Sequence, residues 1–224
     1  MENTAQRKED RAITLETFQE VIAKLRAPEG CPWDRQQTHL SLRAYLLEET
    51  YEALDALDRE NMYDLKEELG DLLLQIVLHA QIAIEEGDFT MQDIIEGITT
   101  KIIRRHPHIF SGVKVSGVEG VIHNWEQIKA QERNTNQNGA KKGFLDGVPT
   151  ALPALLQAEK IIDRVGRVGF ENLAEMGNLE VIHHYLNVYQ DAQGEATRAE
   201  AFGKLLMAVS ALAHKEKLDA ESVL

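Results

Sequence analysis

The chain has 224 residues, 43 % of them hydrophobic and 27 % charged, so it is long enough to bury a core and has an ordinary globular composition. Its net charge of −13 disfavours a nucleic-acid polymer as partner, because the phosphates carry the same sign. The single cysteine, Cys31, excludes an intrachain disulfide and a cysteine-based metal site. With no signal-peptide pattern and no apolar run of membrane-spanning length, the sequence predicts a cytoplasmic protein without a membrane partner.

Helical periodicity dominates the chain, and no convincing alternation of apolar and polar residues predicts a strand. The sequence therefore predicts an all-α fold, a helical bundle. The predicted helices cover residues 15–25, 41–57, 63–86, 91–105, 121–133, 151–165, 179–192 and 196–215. Ser41 is the expected N-cap of the second helix, Gly87 ends the third, and Pro107 limits the fourth. Residues 136–149 predict a linker between domains 1–135 and 150–224.

Four carboxylates recur at helical spacing on two consecutive predicted helices. Glu49 and Glu52 lie three positions apart on one helix, and Glu68 and Asp71 repeat that spacing on the next, so each pair shares a helix face. In an antiparallel hairpin that turns near residue 60, Glu49 is level with Asp71, and Glu52 is level with Glu68. Since helix axes pack roughly 8–10 Å apart, the four side chains are expected to surround one small site.

Such a site favours a hard divalent cation. Carboxylates this close repel one another unless a cation lies between them or some are protonated. No histidine stands at either i+3 position, which argues against a di-iron bundle, and oxygen ligands favour Mg²⁺ or Mn²⁺. A solvated acidic helix face is the alternative for residues 48–52 taken alone, but the matched heights and the apolar flanks favour a metal site.

A local basic cluster stands out in this acidic chain. Lys101, Arg104 and Arg105 fall at i, i+3 and i+4 near the end of the predicted helix 91–105. Arginine binds phosphate through paired hydrogen bonds, so the cluster suits a phosphate chain. Cations near a helix C-terminus also complement the helix dipole, and the spacing alone leaves the two interpretations equal.

Aromatic and histidine side chains allow a second set of interpretations. Trp125 and Lys129 lie four positions apart, where the ring could stack on a base while the ammonium group meets a phosphate. Most such tryptophans belong to a core, and this also holds for Trp33. His79 lies among apolar helix residues, which indicates a hydrogen-bonded core histidine rather than a metal ligand.

Five sequence blocks, in order, resemble the signatures of the MazG proteins. The blocks are residues 31–39, 47–52, 67–73, 104–110 and 125–129. The resemblance spans roughly residues 15–133. It implies the all-α fold shared with dimeric dUTPases and phosphoribosyl-ATP pyrophosphohydrolases. It also implies hydrolysis of a nucleoside triphosphate between the α and β phosphates, which yields a monophosphate and pyrophosphate.

The resemblance also implies roles for residues at the matching positions. Glu49, Glu52, Glu68 and Asp71 would hold Mg²⁺, with Mn²⁺ as a substitute, and Glu48 or Glu49 is the candidate general base. The residues expected to contact the nucleotide are Lys101, Arg105 and Trp125, with Trp33, Arg104 and Lys129 as further candidates. Members of the family usually form homodimers with sites near the subunit contact.

The second half resembles a truncated, degenerate copy of the same unit, beginning at residues 168–170. Ala201 and Lys204 stand at the positions of Glu68 and Asp71, while His184 and Asn187 correspond to Glu49 and Glu52. Because a lysine at a ligand position repels Mg²⁺, this half is predicted to bind no catalytic metal. Its apolar frame predicts a packing or dimerisation role.

Three functions remain open from the sequence. The intact carboxylates favour an enzyme that removes canonical or damaged nucleoside triphosphates with broad base tolerance. The degenerate second half suits a nucleotide-binding or scaffold protein with weak turnover. A narrower enzyme, such as a dUTPase or a phosphoribosyl-ATP hydrolase, fits the same fold.

Overall fold

The computed structural model describes residues 13–135, 145–166 and 176–224. Within those ranges the chain is helical and contains no strand, which confirms the all-α prediction. The described helices are α1 (Leu15–Arg26), α2 (Pro32–Arg35), α3 (Arg43–Asp58), α4 (Met62–Glu86), α5 (Met91–Arg105), α6 (Pro107–Phe110), α7 (Gly117–Thr135), α8 (Ala154–Gly166), α9 (Leu179–Asp191) and α10 (Glu195–Lys215). None of them is long and apolar enough to cross a membrane.

The chain divides into two compact units, Met1–Glu132 and Arg133–Leu224. Most of the predicted linker 136–149 lies outside the described residues, as does the segment 168–170, where the second copy was expected to begin. The assignment of domains 1–135 and 150–224 therefore stays a prediction.

Local capping explains where the longer helices of the first unit begin and end. The Asn61 side chain accepts hydrogen bonds from the first turn of α4, and Thr90 forms a capping box with Asp93 at the start of α5. Gly87 ends α4 with φ of 80°, a left-handed conformation that glycine adopts without steric cost. These ends lie within a residue of the predicted ones.

The segment before α3 differs from its prediction. Ser41 is not the N-cap: Leu42 holds that position and makes no side-chain cap. Ser41 instead closes the preceding turn, because the Thr38 N–H donates to its Oγ at 2.9 Å and its own N–H donates to Thr38 Oγ1 at 3.1 Å. In addition, the segment between the predicted helices 15–25 and 41–57 contains the short helix α2. The reciprocal bonds between Thr38 and Ser41 compete with helix formation, so α3 begins only after them.

The first unit is built on the α3–α4 hairpin, which turns at residues 59–61. These two helices pack extensively against each other, and α1 packs on α4. The core comprises Ile22, Leu42, Val77, Leu78 and Ile82, each at most 3 % exposed. The core lies beside the C-terminal half of α4, which leaves the half nearer the turn free to carry polar side chains.

A buried arginine connects α1, α4 and the segment that contains α2. The Arg26 guanidinium, 5 % exposed, pairs with Glu85 at 2.7 Å and donates to the carbonyl oxygens of Asp34 and Gln37. Gly30 allows the chain to turn back here, because a Cβ at this position would meet the Leu25 carbonyl oxygen. The loop before α3 is thus held to α1, and the same arginine joins α1 to α4.

The second unit contains its own helix pair. α9 and α10 pack extensively against each other, and α8 packs on α10. The residues buried in this packing are small along α10, where Ala201, Ala208 and Ala211 are at most 3 % exposed, so the helices approach closely.

A carboxylate cluster and a basic aromatic group

Carboxylates from both helices of the α3–α4 hairpin converge on one point. One oxygen each of Glu49, Glu68 and Asp71 lies within 4.8 Å of the other two, and each residue is half-buried. Glu49 comes from α3, whereas Glu68 and Asp71 occupy successive turns of α4. The hairpin therefore brings together side chains that are about 20 positions apart in the sequence.

Glu52 lies at the edge of this cluster. Its side chain is exposed, and it is not a member of the group within 4.8 Å. It is nevertheless the neighbouring charge with the largest effect on Glu68. Of the four predicted ligands, the structure joins three directly and leaves Glu52 beside them, closer to the hairpin turn.

The cluster is electrostatically strained without a cation. Burial raises the pKa of Glu49, and the charges of Asp71, Glu52 and Glu68 raise it further. The pKa of Glu68 is raised in the same way, by desolvation first and then by Glu52 and Asp71. A positive ion between these oxygens would relieve the repulsion. The adjacent Glu48, the other candidate base, is exposed and lies outside the cluster.

A neutral oxygen extends the same face of α4. Gln75, 5 % exposed, lies one turn beyond Asp71, and its Oε1 is buried without a hydrogen-bond partner in the described structure. The donor set of the cluster itself consists of three carboxylates, and such an oxygen-only set fits a hard divalent ion.

The predicted basic residues of α5 meet α7 through a shared carboxylate. Arg104 and Arg105 pair with Glu132 at 2.5 Å and 2.6 Å, and Glu132 is largely buried. The pKa of Glu132 is held below its usual value, first by its hydrogen bonds from Arg105. Because one carboxylate faces two guanidinium groups, a net positive charge remains for an anionic ligand.

Two cations lie over the indole ring of Trp125 on α7. The guanidinium carbon of Arg105 is 5.3 Å from the centre of the indole ring, and Lys129 Nζ is 4.6 Å from it. These are cation–π distances, so the ring holds both positive groups in place. The structure thus unites four of the six predicted nucleotide contacts: Arg104, Arg105, Trp125 and Lys129.

The other two predicted contacts lie elsewhere. Lys101 is exposed and, with Arg104, lines a shallow hollow of about 420 Å³ on α5 that also includes Thr100, Asp93 and Glu96. Trp33 is 52 % exposed and packs edge-on against Tyr45, with ring centres 6.0 Å apart. Trp33 is therefore a surface residue rather than part of the core.

Two features of the first unit were not anticipated from the sequence. Glu132 lies seven positions after Trp125 and three after Lys129, so the three residues share one face of α7. This spacing could have indicated the role of Glu132. The His79 ring stacks on that of His39, with their Nδ1 atoms 2.7 Å apart. His79 is thus hydrogen-bonded, as expected, but it is half-buried rather than part of the core, and its partner comes from the loop before α3.

The second unit carries different chemistry on its helix pair. Ala201 is buried on α10, and Lys204 pairs with Glu200 at 2.7 Å. His184 and Asn187 line a separate hollow on α9. The described part of this unit contains no cluster like the one on α3 and α4, and the lack of a catalytic metal there stays a prediction.

The fold and the site define an all-α protein. It carries an acidic oxygen cluster on a helix hairpin and a basic aromatic group. Comparison with known proteins gives its family. Residues 37–110 match the MazG nucleotide pyrophosphohydrolase domain. The chain is 42 % identical over 213 residues to the Thermotoga maritima protein named nucleoside triphosphate pyrophosphohydrolase/pyrophosphatase MazG, covering 95 % of this chain and 80 % of that one.

Two further relatives extend the comparison. The Escherichia coli K12 nucleoside triphosphate pyrophosphohydrolase is 41 % identical over 221 residues, which is 96 % of this chain and 81 % of the relative. The Bacillus subtilis protein YabN is 52 % identical over 145 residues, which is 65 % of this chain but only 29 % of YabN. The chain belongs to the MazG family of nucleoside triphosphate pyrophosphohydrolases.

Proposed function

We propose that this chain hydrolyses nucleoside triphosphates to the monophosphate and pyrophosphate, with Mg²⁺ held by Glu49, Glu68 and Asp71 and by Glu52 at the edge. The observation that carries the proposal is the convergence of three carboxylates within 4.8 Å on the α3–α4 hairpin. Relatives that are 41 % and 42 % identical over nearly the whole chain bear the name of this activity.

The residues of the cluster supply what the reaction needs. A divalent ion bound there neutralises phosphate charge and acidifies a water molecule. Glu49 lies within the cluster, so it is placed to accept a proton from a water molecule held there. We assign Glu49 as the general base, in preference to the exposed Glu48.

The basic aromatic group suits the remaining parts of the substrate. Arg105 and Arg104 offer guanidinium groups for phosphate oxygens, and Lys101 adds a further cation on the same helix. Trp125 presents an aromatic surface on which any base can stack, so it supports tolerance of many bases. This combination fits the removal of unwanted nucleotides from the cellular pool.

A homodimer is part of the proposal. Leu47 and Leu54 on α3, and Leu69 and Leu73 on α4, are each between 38 % and 54 % exposed. They form exposed apolar stripes on the α3–α4 hairpin, and exposed apolar surface of this kind marks a contact between protein chains. We propose that a second copy of the chain packs on these stripes.

The test measures pyrophosphate and monophosphate release from a panel of nucleoside triphosphates with Mg²⁺. Glu68→Gln and Asp71→Asn are expected to reduce kcat/KM at least about 100-fold, because each removes charge that holds the ion. A chelator should abolish release by the wild type. Lys204→Gln is the matched control on α10, and it should retain wild-type activity.

Other outcomes separate the competing functions. No release by the folded wild type in the presence of Mg²⁺ would contradict the enzyme proposal and favour a nucleotide-binding or scaffold protein. Release confined to dUTP or to phosphoribosyl-ATP would indicate the narrower enzyme.

A further inference from the structure

Glu132 on α7 is a largely buried carboxylate that holds both arginines at the end of α5. Arg105 donates to it through Nε at 3.2 Å and through Nη2 at 2.6 Å, and Arg104 donates through Nε at 2.8 Å. The hydrogen bonds from Arg105 hold the pKa of Glu132 below its usual value, so the group is an anion at neutral pH. Paired hydrogen bonds to a carboxylate fix the plane and the direction of a guanidinium group.

The carboxylate lies deeper in the protein than the arginines that it holds. The exposed fraction of the side chain falls from 54 % in Arg104 to 17 % in Arg105 and 13 % in Glu132. A phosphate group that arrives from solvent therefore meets the guanidinium groups before it meets the carboxylate. The hydrogen bonds to Glu132 do not engage Nη1 of either arginine, so each guanidinium group keeps a donor for that phosphate.

The same carboxylate influences the surroundings of the indole ring. The guanidinium group of Arg105, which Glu132 holds on two nitrogens, has its carbon 5.3 Å from the ring centre of Trp125. Trp125 and Glu132 also lie seven positions apart on α7, which places them on one helix face. Glu132 thus orders a cation that belongs both to the phosphate contacts and to the aromatic contact of the proposed site.

Two effects of Glu132 on an anionic ligand have opposite signs. Its negative charge repels the phosphates and weakens binding. Its hydrogen bonds order two long side chains before the ligand arrives, and a ligand that has to order such side chains itself binds more weakly. The direction of the change in affinity when the charge is removed shows which effect is larger.

We propose that Glu132 is a positioning residue of the nucleotide site, which orders Arg104 and Arg105 for the phosphate chain and makes no contact with the nucleotide itself. This inference rests on the proposed function. The ordering outweighs the repulsion, because the carboxylate is buried behind the arginines while Arg104 faces solvent.

The experiment compares Glu132→Gln with the wild type in turnover and in binding. The amide has nearly the same shape, but it lacks the charge and one acceptor oxygen. KM for the nucleoside triphosphate that the wild type hydrolyses fastest is expected to rise about 10-fold, with kcat within about 2-fold of the wild type. The Kd of inorganic tripolyphosphate, measured by calorimetry in chelator, should rise by the same factor without any dependence on the metal site.

Glu119→Gln is the matched control. It removes the same charge from the exposed first turn of α7, about 20 Å from Glu132 along the helix axis, and it should keep the wild-type KM and Kd. A Kd that is unchanged or lower in Glu132→Gln would overturn the inference, and a lower value would identify the carboxylate as a competitor of the phosphate. Where Glu132→Gln does not fold, Glu132→Asp replaces it. This variant keeps the charge but is one methylene shorter, so Kd should rise about 3-fold, and an unchanged Kd would overturn the inference.

A double-mutant cycle tests whether Glu132 acts through Arg105. In protein that already carries Arg105→Gln, the further change Glu132→Gln should raise the Kd of tripolyphosphate about 3-fold or less, since one of the two ordered side chains is gone. A full 10-fold rise in that background would show an independent role and overturn the inference. A wild type that binds tripolyphosphate but releases no pyrophosphate would contradict the proposed function, and the Kd series would still decide the inference. A wild type that binds no tripolyphosphate would overturn the inference together with the proposed phosphate contacts.

Discussion

Two adjacent glutamates illustrate how surroundings decide the role of a residue. Glu48 and Glu49 have the same chemistry and neighbouring positions, but successive residues on a helix point about 100° apart. Glu49 faces Asp71 and Glu68 across the hairpin, whereas Glu48 is exposed to solvent. The raised pKa of Glu49 follows from burial and from those facing charges.

This difference predicts unequal effects of two identical substitutions. Glu49→Gln should abolish Mg²⁺-dependent pyrophosphate release and weaken Mn²⁺ binding, because the amide supplies less charge to the ion and cannot accept a proton as a base. Glu48→Gln should keep activity within about 10-fold of the wild type. Initial rates and Mn²⁺ titrations on both variants test this, and a greater loss in Glu48→Gln would transfer the base to that residue.

At the scale of elements, single polar contacts hold helices and loops in register. Arg26 ties α1 to α4 through Glu85 and also fixes the loop that leads into α3. Glu132 ties α7 to the end of α5 through two arginines. In both places one long side chain satisfies several partners at once, which makes the geometry specific.

The Arg26–Glu85 pair predicts acid sensitivity. Hydrogen bonds from Arg26 hold the pKa of Glu85 below its usual value of 4.5. The unfolded chain therefore takes up this proton more readily than the folded protein, and the stabilisation is present above about pH 4.5 and lost as pH falls through the lower folded value. Glu85→Gln should lower Tm at pH 7 and flatten the fall of Tm below pH 4.5.

Thermal unfolding followed from pH 7 to pH 3.5 measures this effect. Asp88→Asn, which changes an exposed carboxyl just after α4, is the control and should follow the wild-type curve. An acid profile of Glu85→Gln that parallels the wild type would show that other carboxylates govern the transition.

At the scale of the whole molecule, the two units carry unequal chemistry on similar helix pairs. The first unit exposes both a carboxylate cluster and apolar stripes on α3 and α4. In the second unit, Lys204 and its partner Glu200 occupy the corresponding region of α10. We propose assembly through the exposed apolar residues of α3 and α4. The second unit also exposes Leu186, Phe202 and Leu206, and its packing or dimerisation role stays a prediction.

The assembly makes a measurable prediction about mass. Sedimentation should give about twice the chain mass of 25.2 kDa. Leu54→Lys, at a position on α3 that is 47 % exposed, should shift the protein to monomers because it places a charge in the apolar stripe. Leu186→Lys on α9, 41 % exposed, is the matched control. Dissociation by Leu186→Lys alone would place the contact in the second unit.

The sequence by itself determined the helices and the spacing of their polar residues. Helix bounds depend on hydrogen bonds between residues four apart and on caps such as Asn61 and Gly87, all of which are local. The i, i+3 pattern of the carboxylates and the short turn near residue 60 were enough to predict that carboxylates of the two helices approach one another. Family blocks in the sequence identified the class of protein.

Only the tertiary structure decided which of these residues meet. Packing of α3 on α4 joins Glu49, Glu68 and Asp71 but leaves Glu52 exposed, and contact of α5 with α7 pairs two arginines with Glu132. The His39–His79 bond and the unsatisfied oxygen of Gln75 likewise depend on neighbours distant in the chain. Such contacts depend on how side chains fill the space between helices, and periodicity along one helix does not contain that information.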